Sequence, residues 1–230
     1  MQKLAIAIQW DFIRQFRYNI LYAALLVTVI YILILLNVPE GPYREKILIF
    51  LIFNDPAALG MLFIGSLFLF ERSEHTLEAL WVTPLPHRHY ILSKTLTLTA
   101  IALLSALVMA IAGYGWLFGY LYFVAGIGLT ASLFTLLGMV AVVSCGSFNQ
   151  YLLRVAGILV PAALPFLNFL EITDTLWWYL LPSQASLILM EAAFLPMEAW
   201  RIAYAVLYLG LWNAGAYWLA AYTLKEHVKL

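Results

Sequence analysis

Glu71, Glu74 and Glu78 stand at helical spacing in the longest charge-bearing stretch of an otherwise apolar chain, residues 71–94. Carboxylates so placed line one edge of a helix, while Leu77, Leu80 and Trp81 form an i, i+3, i+4 stripe turned away from most of that edge. The chemistry open to such a pattern is pairing, not bond making. Carboxylates can pair with basic groups or backbone amides of a partner, and an apolar stripe seats against a protein surface or lipid headgroups. Acidic residues in the first turns complement the helix dipole, and Pro84 and Pro86 would cost a continuing helix its backbone bonds. A short amphipathic helix ending near Val82 is therefore predicted. A plain solvated loop is the alternative, and it gives no reason for Leu77, Leu80, Trp81 and Leu85 to cluster.

Groups for bond-making chemistry are missing. No GxxxxGK[ST] occurs to cradle phosphates, so ATP hydrolysis of that kind is not expected of this chain. There is no HExxH, and His75, His87, His89 and His227 all fall outside the apolar runs. His87 and His89 have a spacing that could ligate a metal but lack further ligands, and serine proteolysis inside a membrane needs a histidine at membrane depth. No catalytic residue, metal ligand or cofactor is assigned to the chain itself. Its one cysteine, Cys145, excludes an intrachain disulfide, and a net charge of zero argues against broad nucleic-acid binding.

The elements that must carry the 71–94 stretch are membrane helices. With 65% of 230 residues hydrophobic and 10% charged, the chain lies outside the range of soluble domains, and no cleavable signal peptide is recognisable. About 20 apolar residues cross a bilayer. The sequence offers six such runs: 18–38, 47–70, 95–114, one within 116–145, 155–170 and 202–224. Residues 1–17 mix apolar and charged groups as a helix lying in the membrane interface does. Asn54, Asp55 and Pro56 interrupt the start of the second run near the far surface; Asp55 is either a substrate contact, since ionisable groups at membrane depth are costly, or a cap. Gly126, Gly128, Ala131 and Ser132 form a small-residue strip for close packing within the chain. Pro161 and Pro165 kink the fifth run, as a moving gate or a static bend. In residues 171–200 two apolar pieces, each too short to cross, flank Pro182, Ser183 and Gln184, which predicts a segment that dips into the far leaflet and returns.

Six spans place both termini, the 71–94 stretch and the turn around residues 146–154 on one side. That side holds nine of the twelve Lys and Arg (Lys3, Arg14, Arg17, Arg72, Arg88, Lys94, Arg154, Lys225 and Lys229), so by the positive-inside rule it is cytoplasmic.

The pattern Glu-x-x-x-x-Thr-Leu-Glu-x-Leu-x-x-Thr-Pro-Leu from Glu71 to Leu85, followed by Tyr90 to Lys94, resembles the cytoplasmic loop of ABC-2 type transporter permeases. Within that group it is most similar to short fluoroquinolone or multidrug export permeases, and more distantly to the haem-exporter B subunit of cytochrome c maturation. The resemblance implies an all-α integral membrane protein of the ABC-2 type fold, forming a single transmembrane domain over residues 1–230. Its parts would be an N-terminal interfacial helix (1–17), six transmembrane helices, a cytoplasmic coupling helix between spans two and three (within 71–94), and re-entrant helices between spans five and six (171–200). It also implies the membrane subunit of an ABC exporter in the inner membrane, with ATP and Mg held by a separate ABC ATP-binding subunit and a second permease chain, identical or related, completing a dimer in membrane lipid. Glu71, Glu74, Leu77, Glu78, Leu80 and Trp81 would meet the ATPase subunit. The few charges in the spans and the 16% aromatic content suit a hydrophobic or amphipathic cargo, drug-like or lipid-like. Haem is an alternative cargo, weakened by the lack of a histidine in a span or on the far side. A non-transporting scaffold or immunity protein is the alternative in kind.

Overall fold

The computed structural model describes residues 2–39, 41–77, 86–173 and 175–227, and the regular structure among them is helical throughout. Helix α1 (Gln2–Arg17) turns into α2 (Ile20–Asn37) through Asn19, which takes the left-handed conformation at φ 59° that a short polar side chain tolerates. Then α3 (Pro42–Asn54), a π-helical turn (Asp55–Leu59) and α4 (Gly60–Ser73) run on as one rod. There follow α5 (His87–Gly113), α6 (Tyr120–Val143), α7 (Phe148–Ala163), α8 (Phe166–Phe169), a 3-10 turn (Leu176–Leu180), α9 (Pro182–Phe194) and α10 (Ala199–His227).

By length and composition, five helices among the described residues can cross a membrane: Ile20–Asn37, Tyr43–Ser73, His87–Gly113, Tyr120–Val143 and Phe148–Phe169. These answer to the first five runs read from the sequence. The sixth run falls inside the 29-residue α10, which is long enough but falls outside those five. Tyr204, Tyr208, Trp212, Asn213, Tyr217 and Tyr222 dilute its aliphatic content.

Helix α6 is the axis of the bundle and packs on α4, α5, α9 and α10. The small-residue strip on it serves this packing: a Cβ on Gly126 would lie 3.1 Å from Leu189 of α9, and Ser132 donates to Asn213 Oδ1 of α10 at 2.6 Å. Helices α2 and α7 sit at the periphery and turn Leu25, Leu26, Leu33, Leu36, Leu153 and Val160 outward. Outward apolar faces of this extent are stable in hydrocarbon and not in water. One ring pins α7 to the bundle. Tyr151 is fully buried, its ring fills the space where a Cβ on Gly65 would sit at 1.9 Å, and its hydroxyl donates to the Met61 carbonyl.

Two ends can be told apart: a basal end with α1, Ser73 and His87, and an apical end with Val38, the α5–α6 connection and the 164–198 segment. At the apical end the 3-10 turn descends along α10, where Tyr204 donates to the Tyr179 carbonyl and Tyr208 to the Leu180 carbonyl at 2.6 Å. Helix α9 then climbs back until the Gly119 N–H at the head of α6 donates to the Ala193 carbonyl at 2.6 Å. At about 1.5 Å per residue, the 13 residues of α9 are too short to cross a hydrocarbon core about 30 Å thick.

Two boundaries differ from those read in the sequence, and both differences matter. The second span does not start at residue 47. Pro42 opens α3 at its first turn and Arg44, Glu45 and Lys46 are already helical, so Asn54, Asp55 and Pro56 lie mid-span and not near its mouth. The third span starts at His87 and not at residue 95, which makes Tyr90 and Lys94 part of a packed helix instead of a solvated loop.

Candidate functional site

Helix α1 carries Asp11, Arg14 and Gln15 at i, i+3 and i+4, one face of a helix, and Tyr18 continues the row at i+7 in the turn just past its end. That face points into the protein. Asp11 and Gln15 are buried, while Ile6, Trp10, Ile13 and Phe16 on the opposite side are exposed. An amphipathic helix turned apolar side out has lipid on its outer face, and its polar side then needs partners within the protein.

Those partners come from α4 and α5. The Lys94 ammonium, 0% exposed, donates to Asp11 Oδ1 at 2.8 Å and to Glu71 Oε1. Arg14 donates to the same Glu71 oxygen at 2.8 Å and lies 3.2 Å from Asp11 Oδ1. Tyr90 donates to the other Glu71 oxygen at 2.8 Å, and Gln15 donates to Thr97 Oγ1 at 2.7 Å. Two carboxylates and two cations thus make a neutral cluster drawn from three segments. A buried charge deprived of its partner is far more costly than an unformed surface pair, so the cluster holds α1, α4 and α5 in one arrangement.

Two further contacts extend it. Tyr18 donates to Glu74 Oε2 at 2.6 Å; burial first, then that bond and the Glu74 charge, push the phenol up to about 12. Arg72 donates to the Cys145 carbonyl at 3.0 Å, tying α4 to the end of α6.

The residues assigned to the coupling face separate here. Glu71 is 1% exposed and its carboxylate is taken up by this chain's own cations. Glu74 is exposed, and Leu77 is buried in the core. The single helical register expected from Glu71 onward is broken, because α4 ends at Ser73 and His75 adopts φ 56°. Glu78, Leu80 and Trp81, and the helix end expected near Val82, lie outside the described residues.

A profile of the Fluoroquinolones export permease protein family matches residues 2–229. The chain belongs to this family. Two fluoroquinolones export permease proteins, from two strains of Mycobacterium tuberculosis, are each 30% identical to it over 213 residues, covering 90% of this chain and 89% of the relative.

In this permease the remaining candidates lie away from the charge cluster. Asp55 opens the π-helical turn, is 1% exposed, and its Oδ1 has no hydrogen-bond partner among the described residues. Pro56 explains the turn: without an N–H it cannot complete the α-helical ladder, and the π turn re-registers the backbone so that the Gly60 N–H reaches the Pro56 carbonyl. Pro161 lies inside α7 and Pro165 caps α8, and the helix breaks between them. Among the described residues no group of acids, histidines and cysteine gathers as a metal site would.

Sequence reading missed Asp11, Arg14, Tyr90 and Lys94 as a unit. The signal available was the i, i+3, i+4, i+7 polar row of α1, which a helix lying in the interface with its apolar side down also explains.

Proposed function

We propose that this permease is the membrane subunit of an ATP-driven exporter that moves hydrophobic or amphipathic compounds outward across the inner membrane. ATP and Mg would be held by a separate ABC ATP-binding subunit, and a second permease chain would complete the translocation path within membrane lipid. The basal end, with both termini, is assigned to the cytoplasm. Helix α10 serves as the sixth span, giving the ABC-2 arrangement, and the descent and return of residues 171–200 serve as a re-entrant element in the outer leaflet. The relatives are named for the export of fluoroquinolones, which places compounds of that kind first among cargoes to try.

The observation that carries this reading is the buried neutral cluster. Glu71 and Lys94 stand on either side of the 78–85 segment, so both attachments of that segment are joined to each other and to α1. A push delivered to it by an ATPase subunit would move α1, α4 and α5 as one body, and the spans above would tilt together. Glu74, Leu77, Glu78, Leu80 and Trp81 form or flank the contact, while Glu71 transmits from beneath it.

The test is to purify the permease with its ATPase subunit and compare turnover with the wild type and with a Leu80→Asp/Trp81→Asp chain, each checked for folding. Release of the ATPase, or turnover no longer responsive to cargo, is the expected result. A permease that binds no ATPase, or whose coupling ignores the double change, is better read as a membrane scaffold.

A further inference from the structure

Between α2 and α5 lies an open groove of about 350 Å³, walled by apolar side chains such as Leu25, Val29, Leu104 and Val108, with Thr28 and Ser105 supplying hydroxyls. Behind it sits a small void lined by Asp55, Leu59 and Phe63. Ala24, Ile101 and Ser105 wall both spaces, so the Asp55 carboxylate stands one layer of side chains behind the groove.

We propose that this groove receives a lipophilic organic cation from the bilayer, with the Asp55 carboxylate as its counter-ion. Three observations converge. The groove's walls match an apolar body, and its mouth opens on the outward apolar faces of α2 and α5, where Leu25 and Leu104 are exposed, the faces that suit hydrocarbon. Asp55 is buried mid-span with an oxygen that nothing in the described chain satisfies, an expensive arrangement that a cation relieves. The carboxylate rides on a π turn, an element that is frequent at functional sites and that changes register without unfolding the helix. The dividing layer is Ala24 of α2 with Ile101 and Ser105 of α5, so an outward shift of α2 that carries Ala24 away opens one space to the other. The cation takes the place that Lys94 and Arg14 hold for Glu71. This inference rests on the exporter reading only in treating the bound molecule as cargo.

The test uses the purified full-length permease in nanodiscs, without any ATPase, so that a failure here leaves the coupling reading standing. Tetraphenylphosphonium and tetraphenylborate have nearly the same shape and opposite charge, and equilibrium binding of each is measured against empty nanodiscs. The expected result is saturable binding of the cation only, weakened at least tenfold in Asp55→Asn and retained in Asp55→Glu. Ser105→Leu, which thickens the wall but keeps the carboxylate, weakens it as well. Thermal unfolding of each variant shows that the bundle is intact. Equal binding of the two ions makes the groove a seat for lipid tails, and undiminished cation binding to Asp55→Asn moves the site elsewhere; either result overturns the proposal. So does efficient disulfide pairing of Leu25→Cys between two permease chains with no cation binding, which would mean that a second copy fills the groove.

Discussion

Glu71 and Asp55 are buried carboxylates on the same rod, Tyr43–Ser73, and their surroundings are opposite. Glu71 meets Lys94, Arg14 and Tyr90; Asp55 has an oxygen that meets nothing among the described residues. A fully partnered buried charge fixes geometry, because any rearrangement must break several bonds at once. An unpartnered one invites a partner. The permease therefore carries a rigid charge at the end where force is proposed to enter and an unfilled one where cargo is proposed to sit.

The sharpest way to break the contrast is to strip Glu71 of its cation. Lys94→Met leaves two buried carboxylates with only Arg14 between them and should cost about 3–5 kcal/mol, read as a large fall in the thermal midpoint in detergent; a small fall would mean that water reaches the cluster. Next is the same chemical change at both acids. Glu71→Gln should destabilise by about 3 kcal/mol, whereas Asp55→Asn should raise the midpoint, since it replaces a buried carboxyl whose Oδ1 has no hydrogen-bond partner among the described residues. Shifts of the same sign would erase the distinction. Tyr90→Phe deletes one hydrogen bond to Glu71 and leaves the ion pairs, so a loss of about 1 kcal/mol is expected.

The smallest effect belongs to an exposed pair at the apical end. Lys46 donates to Glu171 at 2.7 Å, and that bond and charge hold the Glu171 carboxyl below its ordinary range. A depressed carboxyl adds stability above its unfolded pKa and loses it as the pH falls through the folded one. Because the group is fully exposed, Glu171→Gln should leave the acid limb of a stability-versus-pH curve unchanged within error.

The sequence was most legible where physics leaves one answer. An apolar run long enough to cross hydrocarbon must be a helix there, and 18–38, 47–70, 95–114 and the runs after them found their helices. Boundaries failed where charges were taken to mark water. Arg44, Glu45 and Lys46 read as a loop although they occupy the first turns of α3, and this put Asp55 about one helical turn too close to the mouth of the span. Lys94 read as the end of a loop because a lone lysine gives no hint of Asp11 and Glu71 waiting across the bundle. Periodicity reports which face a residue shares with its own helix and is silent on which charges from distant segments will meet. The register expected from Glu71 onward breaks at His75 for a local reason: a left-handed backbone there leaves no mark in a hydrophobic pattern.

The inward polar face of α1 also sets an order of events during synthesis. Asp11 and Arg14 leave the ribosome long before Glu71, and Glu71 before Lys94, so the earliest segment of the chain holds half of a lock whose last piece arrives with the third span. Until then α1 lacks the helix that supplies most of its contacts, and it is expected to stay accessible to proteases. Chains arrested shortly before Lys94 has cleared the ribosome should be clipped within residues 2–17, and chains arrested well after it should resist. Equal clipping of both would show that α1 docks without its lysine.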